Sequence, residues 1–231
     1  MLINGFQKLT LLDFPGHTAC TVFTGGCNMR CPFCHNASLV LRVSQQETVR
    51  EEDVFSFLKK RQGLLDGVCV TGGEPTLQPD LPEFLAKLRE LGYQTKLDTN
   101  GLRPDVLEAV LERGLADYIA MDIKSSRERY AAVCGMEDVD IGKIERSTGL
   151  LMNGKTPFEF RTTVVRELHG EADFEAIGKW LSGAQRFFLQ QFKDSGDLVA
   201  GGFTPYSAEE MKRMLEILRK YIPAAELRGM E

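Results

Sequence analysis

Residues 19–36 read ACTVFTGGCNMRCPFCHN, a strand-like run followed by a glycine turn and three closely spaced cysteines. The run Ala19–Thr24 is rich in branched and aromatic residues, which favours a buried strand. Gly25 and Gly26 follow it, and glycine lets the backbone turn sharply because it lacks a side chain. This stretch therefore predicts a strand that ends in a loop at its carboxyl edge.

The same order of features recurs along the chain. Val-Cys-Val-Thr-Gly-Gly at 68–73 repeats the pattern of Thr-Val-Phe-Thr-Gly-Gly at 21–26. Between the strand-like runs lie stretches with apolar residues three and four apart, which predict helices. Six strands are predicted: 19–24, 67–71, 94–99, 117–123, 158–165 and 186–192. This alternation predicts an α/β fold with a parallel sheet and right-handed crossovers, and both a barrel and a doubly wound sheet fit it.

The ends of the predicted helices carry characteristic start and stop residues. Two pairs have the spacing of a capping box: Thr48 with Glu51, and Ser207 with Glu210. Gly92 and Gly114 stand where a helix commonly ends in a left-handed residue. These residues predict two helix starts and two helix ends.

Length, charge and hydropathy narrow the class of protein. With 231 residues the chain is expected to be a single domain over 1–231. The net charge of −5 argues against a nucleic-acid partner, because such proteins usually carry a basic surface. No signal-peptide pattern and no run that could cross a bilayer is found, so a cytoplasmic protein without a membrane partner is expected.

Cys27, Cys31 and Cys34 are the strongest candidates for a metal site. Soft thiolate ligands select iron-sulfur clusters, zinc or copper, and such crowding indicates metal or redox chemistry in a reducing compartment. A cubane cluster usually takes four cysteines, so three imply one iron left open to another ligand. The alternative is a zinc site of three cysteines completed by His35 or His17.

The other three cysteines are read differently. Cys20 and Cys69 lie inside predicted strands and are expected to be buried as small hydrophobic residues. Cys134 precedes Gly135 and is expected to have no special role.

Alternation along three predicted strands gathers charged and polar residues on one face of each strand. These residues are Asp122 with Lys124, Glu159 with Arg161, and Lys96 with Asp98 and Asn100. Unpaired ions are costly to bury, so a core without a ligand would rarely collect them. The arrangement predicts a site for a zwitterionic ligand.

The second glycine turn continues into Glu74 and Pro75. Gly72 and Gly73 would expose backbone carbonyls, and Glu74 supplies a carboxylate that could face an ammonium group. The alternative is a tight turn in which Glu74 serves the start of a helix.

These motifs together resemble a known family. The spacing Cys-x3-Cys-x2-Cys is similar to the radical S-adenosylmethionine superfamily, and residues 12–16, 22–27 and 34–36 resemble glycyl-radical-enzyme activating proteins. From about residue 3 to about residue 220, the chain resembles anaerobic ribonucleoside-triphosphate reductase activating proteins, which are related to pyruvate formate-lyase activating enzyme. The resemblance implies a partial (β/α)6 TIM-like barrel with a cluster loop at 25–36.

The resemblance also implies ligands for two cofactors, a 4Fe-4S cluster and S-adenosylmethionine. Cys27, Cys31 and Cys34 would hold the cluster and leave one iron open. The methionyl amino group would be held by Gly72, Gly73 and Glu74. Phe33 matches an aromatic position near adenine, although packing is its alternative role.

Charged residues complete the implied cofactor site. Lys124 would meet the methionyl carboxylate and Arg161 the ribose or the carboxylate, since both offer charge-assisted hydrogen bonds. Asn100 is a weaker candidate, because Asn-Gly is a common turn signal. A possible monovalent cation site resembles that of activating enzymes, with ligands Asp98, Thr99 and Asp122. The alternative roles of these three residues are ion pairing with Lys96 or Lys124 and loop capping.

The implied activity is reductive cleavage of S-adenosylmethionine to a 5'-deoxyadenosyl radical, which generates a glycyl radical on a partner enzyme. An anaerobic ribonucleotide reductase is the expected partner, with flavodoxin or ferredoxin as the electron donor. One alternative is a radical enzyme acting on a small molecule, similar to 7-carboxy-7-deazaguanine synthase. The other is a non-catalytic module that binds zinc or transfers electrons.

Overall fold

A computed structural model describes residues 1–230 and contains eight strands, whose order in the sheet follows the chain. The strands are β1 (Ile3–Thr10), β2 (Ala19–Thr24), β3 (Gly67–Gly72), β4 (Gln94–Thr99), β5 (Tyr118–Asp122), β6 (Phe158–Val164), β7 (Phe187–Gln191) and β8 (Ala225–Arg228). All six predicted strands are present, and the α/β fold class is confirmed.

The sequence-based count of six strands omitted β1 and β8. Strand β1 pairs antiparallel with β2, and most of its residues are at least partly exposed, so it lacks the apolar run of a buried strand. Strand β8 has only 4 residues, too few to show a period of two. Both strands lie at the ends of the strand order.

Eight α-helices connect the strands, and none in residues 1–230 is long and apolar enough to span a membrane. They are α1 (Ala37–Leu41), α2 (Glu51–Lys59), α3 (Leu81–Glu90), α4 (Pro104–Glu112), α5 (Tyr130–Val133), α6 (Ile141–Asn153), α7 (Glu171–Trp180) and α8 (Ala208–Arg219). Gly92 and Gly114 follow α3 and α4 with φ of +85° and +60°, which confirms the predicted helix ends.

Only one of the two predicted capping boxes forms. At α8, the Ser207 hydroxyl accepts from the Glu210 backbone N–H, and the Glu210 carboxylate accepts from the Ser207 N–H at 2.8 Å. The box at Thr48 is wrong, because α2 has no side-chain cap. Val49 donates its N–H to the Ile3 carbonyl at 2.8 Å, and this bridge keeps the backbone before α2 extended.

The described chain forms two compact units, and a single domain over 1–231 stays a prediction. The first unit comprises residues 1–28, 38–120 and 155–157 and contains β1 to β4. Strands β2, β3 and β4 pair in parallel, and they bury Val22, Val70 and Leu97 completely. The amphipathic helix α3 adds the buried side chains Leu81, Phe84, Leu85 and Leu88.

The second unit comprises residues 29–37, 121–154 and 158–231, in which β6, β7 and β8 are parallel. Phe160 and Phe187 lie in its core, with ring centroids 6.3 Å apart. Glu159 is fully buried beside them, and Arg228 neutralises it through contacts of 2.7 and 3.0 Å. The Arg228 guanidinium also stacks on the Phe188 ring, so Glu159 is part of the core rather than an open charge.

Candidate active site

The two glycine turns predicted from the sequence pack against each other in the first unit. The Gly73 N–H donates to the Thr24 carbonyl at 2.8 Å, and the Glu74 N–H donates to the Gly26 carbonyl at 2.8 Å. A side chain at Gly73 would clash with the Gly26 carbonyl, and Gly72 has a φ of +113°. The repeated Thr-Gly-Gly therefore brings two backbones into contact immediately before the first cysteine.

Glu74 is a buried brace of this turn, with 1% of its surface exposed. One carboxylate oxygen accepts from the Thr76 N–H at 3.1 Å and from the Thr99 hydroxyl at 2.8 Å, and the other accepts from the Asn100 N–H at 2.7 Å. Burial raises the pKa of Glu74 although these hydrogen bonds oppose the shift. The structure thus shows the helix-start role that the sequence left open, and contact with an ammonium group stays a prediction.

Asn100 lies beside the first cysteine. Its side-chain amide donates to the Asn28 side-chain oxygen at 2.7 Å and lies 3.9 Å from the Cys27 sulfur. Its own side-chain oxygen accepts from the Leu102 N–H at 3.0 Å, so the residue also shapes the Asn-Gly turn. The structure joins Asn100 to the cluster loop, which its turn signal alone did not predict.

Two of the predicted cation ligands are engaged with protein groups in the first unit. Asp98 forms an ion pair with the buried ammonium of Lys96 and accepts from the Thr71 hydroxyl at 3.1 Å. Thr99 directs its hydroxyl to Glu74. The roles in ion pairing and loop capping are therefore observed, and cation binding stays a prediction.

The third predicted cation ligand, Asp122, lies between two cations in the second unit. It accepts from the Lys124 ammonium at 2.8 Å and from the Arg161 guanidinium at 2.9 Å. Burial opposes ionisation of Asp122, but the charges of Arg161 and Lys124 outweigh it and hold the pKa of Asp122 well below its usual range. Two cations against one carboxylate leave a net positive group, which suits a ligand carboxylate.

His169 positions this group, and no motif in the sequence pointed to this role. Its ring is 2% exposed, Nδ1 accepts from the Val165 N–H at 3.1 Å, and Nε2 donates to the Lys124 carbonyl at 2.8 Å. Burial lowers the pKa of His169, which favours the neutral ring. The Phe33 ring meets the His169 ring edge-on at 6.3 Å, so Phe33 packs in the second unit.

Asp173 holds the chain that follows Lys124. Its carboxylate accepts from the Ser126 hydroxyl at 2.9 Å, the Arg129 guanidinium at 2.7 Å and the Gly170 N–H at 2.9 Å. His169 therefore holds the backbone at Lys124, and Asp173 holds the residues that follow Lys124.

Cys31 and Cys34 belong to the second unit. Cys31 is buried, and a hydrogen bond from Cys134, opposed by burial and assisted by the charge of Lys124, lowers the pKa of Cys31 to about 7. Burial raises the pKa of Cys34. A thiolate is the form that binds metals, so Cys31 has the chemistry expected of a cluster ligand. Cys134, expected to have no special role, instead contacts a predicted ligand.

A backbone strap at 197–200 holds the cluster loop. The Ala200 N–H donates to the Pro32 carbonyl at 2.8 Å, and the Val199 N–H donates to the Cys34 carbonyl at 3.3 Å. The Asp197 carbonyl accepts from the Ala37 N–H at 3.2 Å. These three contacts are made by backbone groups, which leave no side-chain pattern in the sequence.

The residues present fit a cluster with thiolate ligands. All six cysteines lie in the described part of the chain as thiols, and Cys20 and Cys69 are fully buried as predicted. Gly26 has a φ of +90° and faces open space, which leaves room at the base of the cluster loop. The His17 ring packs on the Phe14 ring with centroids 4.2 Å apart, and its Nδ1 is hydrogen-bonded to the Pro15 carbonyl oxygen.

Comparisons with known proteins identify the class. The model of the Radical SAM superfamily matches residues 21–169. Structures of similar fold include Streptococcus suis SuiB bound to the precursor peptide SuiA, with a TM-score of 0.70 at 15% identity over 90% of this chain and 48% of that one. The chain belongs to the radical S-adenosylmethionine superfamily, whose cofactors are a 4Fe-4S cluster and S-adenosylmethionine.

Relatives define the group more closely. A Methanocaldococcus jannaschii protein with the provisional name glycyl-radical enzyme activating enzyme is 32% identical over 98% of this chain and 95% of its own length. The pyruvate formate-lyase-activating enzyme of Streptococcus mutans is 35% identical over 85% of this chain and 79% of its own. The chain is thus an enzyme homologous to glycyl-radical-enzyme activating enzymes, and the non-catalytic zinc module is excluded.

Proposed function

We propose that this enzyme generates a glycyl radical on a partner protein, and that the partner is an anaerobic ribonucleotide reductase. The observation that carries the activity is the cysteine loop after β2 in a chain that is similar, over 98% of its length, to a protein named for this activity. The family resemblance of the whole chain supports the choice of partner.

The chain's own residues have distinct tasks in this reaction. Cys27, Cys31 and Cys34 would hold the cluster, and the net positive group of Lys124 and Arg161 would bind the methionyl carboxylate. When bound, the reduced cluster and S-adenosylmethionine together supply a 5'-deoxyadenosyl radical, with methionine as the co-product. Because a free radical would react with solvent, the protein must also hold its loops closed around the cofactor.

Several contacts serve that second task. The Gly73 turn fixes the start of the cluster loop, and the Ala200 strap fixes its end. Asn100, placed beside Cys27, would contact the cofactor or the cluster sulfur. Phe33 would lie near adenine. We retain a monovalent cation held by Asp98, Thr99 and Asp122 as part of the proposal.

The reaction also needs an electron from outside the chain. We propose flavodoxin or ferredoxin as the donor and the cytoplasm as the compartment. An acidic protein, with a net charge of −5, would need a local positive patch to meet such acidic donors.

The test is an anaerobic reaction of cluster-loaded enzyme, a reductant, S-adenosylmethionine and the candidate reductase. We expect 5'-deoxyadenosine and an electron paramagnetic resonance doublet from a glycyl radical on the reductase. Cys31→Ala should abolish both, whereas the matched control Cys69→Ala, at a buried cysteine of the first unit, should retain both.

The same reaction separates the alternative substrates. The 7-carboxy-7-deazaguanine synthase of Methanopyrus kandleri is 35% identical over 48% of this chain, which keeps a small-molecule substrate as a second candidate. A doublet with pyruvate formate-lyase alone would change the partner but not the activity. Deoxyadenosine formation without a doublet on any glycyl radical enzyme, but with conversion of a small-molecule substrate, would overturn the proposal.

A further inference from the structure

Two buried thiols face each other in the second unit. Cys31 lies on the cluster loop and is 7% exposed, and Cys134 follows α5 and is fully buried. A side-chain hydrogen bond from Cys134 is the largest cause of the lowered pKa of Cys31, which places the two side chains next to each other. Of these two cysteines, only Cys31 has a role in the proposed reaction, as a cluster ligand, and Cys134 has none.

The backbone builds this contact. The Arg30 N–H donates to the Cys134 carbonyl at 2.9 Å, one residue before Cys31. Gly135 has a φ of +64°, and a side chain there would clash with the Arg30 carbonyl. The Cys134 N–H is itself held by the Tyr130 carbonyl at 2.9 Å. The pairing of the two thiols therefore follows from a close backbone approach that only glycine allows.

A thiol pair held in contact can be oxidised without a large rearrangement. A cysteine that has lost its cluster can be oxidised. Oxidation of a cysteine beyond sulfenic acid is irreversible in most proteins. A disulfide with a neighbouring thiol is the reversible alternative.

We propose that Cys31 and Cys134 form a reversible disulfide when the protein lacks its cluster, and that this bond preserves Cys31 for cluster rebuilding. The oxidant is a low-molecular-weight disulfide. Each cysteine gives up one proton and one electron, the sulfur–sulfur bond forms between them, and the oxidant is reduced to two thiols. A dithiol reductant reverses the reaction.

Cys34 is the main competitor, because Cys31-Pro-Phe-Cys34 has the spacing of a redox motif. In the structure, the Cys34 N–H donates to the Cys31 carbonyl at 3.0 Å, but the thiol hydrogen-bonded to Cys31 is that of Cys134. Oxidation is therefore expected to join Cys31 to Cys134 rather than to Cys34.

Peptide mapping of the full-length, cluster-free protein tests this choice. The protein is treated anaerobically with oxidised glutathione, blocked with N-ethylmaleimide and digested with trypsin without reduction. The expected bond links peptide 31–42 to peptide 130–143, with Cys31 located by fragmentation. A loop within peptide 31–42, or a link from it to peptide 9–30, would overturn the proposal.

Cys134→Ala tests the protective role, with Cys69→Ala as the matched control. Before oxidation, both variants should take up iron and sulfide like the wild type. After treatment with oxidised glutathione to form the disulfide, exposure to peroxide and re-reduction, iron uptake should fall several-fold in Cys134→Ala only. Equal recovery, or loss of iron uptake before oxidation, would contradict the proposal. These readouts involve no substrate, so their failure is distinct from failure of the proposed function.

Discussion

Glu74 in the first unit and Asp122 in the second are both carboxylates at the ends of parallel strands, yet they are stabilised in opposite ways. Glu74 is buried and satisfied by hydroxyl and backbone N–H donors. Asp122 is partly exposed and satisfied by Lys124 and Arg161. Neutral donors fix a shape, whereas two cations leave charge for a ligand. Glu74 therefore braces the turn, whereas the group around Asp122 carries a net positive charge, and ligand binding by either one stays a prediction.

The largest expected effect is on stability. Glu74→Ala leaves buried donors of Thr76, Thr99 and Asn100 without their acceptor, and should lower the free energy of unfolding by about 3–5 kcal/mol. Urea denaturation of the purified chain measures it. Glu52→Ala, at an exposed position of α2, is the control and should change stability by less than about 0.5 kcal/mol. Equal losses of stability in Glu74→Ala and Glu52→Ala would show that the Glu74 carboxylate does not stabilise the turn.

The second effect is on binding. Lys124→Met removes one charge-assisted hydrogen bond of about 1.5–3 kcal/mol, so the affinity for S-adenosylmethionine should fall by about 10- to 100-fold. Asp122 keeps Arg161, so the loss of stability should be smaller than for Glu74→Ala. Anaerobic equilibrium binding measures the affinity. Lys212→Met, at an exposed position of α8, should bind S-adenosylmethionine with unchanged affinity. An unchanged affinity in Lys124→Met would show that Lys124 does not contact this ligand.

The two carboxylates should also differ in the sign of their pH dependence. Burial raises the pKa of Glu74 above 4.5, so its protonated form stabilises the fold at low pH and this contribution is lost as the pH rises through the raised value. The pKa of Asp122 is lowered from 3.8, so its contribution is present above that value and lost as the pH falls.

Unfolding free energies of the wild type, Glu74→Gln and Asp122→Asn from about pH 3 to about pH 8 test this difference. The stability advantage of the wild type over Glu74→Gln should shrink with rising pH. Its advantage over Asp122→Asn should grow with rising pH and then level off. Slopes of the same sign would contradict the contrast between the two carboxylates.

The smallest effect concerns a single donor to the brace. Thr76→Val removes one hydroxyl that donates to Glu74 but leaves the backbone N–H bond, so it should cost about 1 kcal/mol. Thr48→Val is the control, because Thr48 is exposed and caps no helix. Thermal or urea unfolding measures the stability of both variants. A loss of stability in Thr48→Val would indicate that Thr48 caps α2, as the sequence predicted.

Periodicity and motif spacing predicted the six inner strands and the cysteine loop, because branched runs and glycine turns are local signals. Strand β1 was not predicted because it is partly exposed, and β8 was not predicted because it is short. The charged residues on the strand faces were also predictable from alternation. The pairs of Asp98 with Lys96 and of Asp122 with Lys124 were expected alternatives, whereas the contact of Arg161 with Asp122 was not, because these two residues lie in different strands.

The sequence by itself determined the family of this protein, through three cysteines at a fixed spacing, and it placed charged residues on the strand faces. Only the tertiary structure decided which groups support them. His169 meets the Lys124 backbone, Cys134 meets Cys31, and Glu74 turns inward to its donors. These contacts join residues far apart in the chain through backbone atoms or buried pairs, and neither leaves a periodic trace in the sequence.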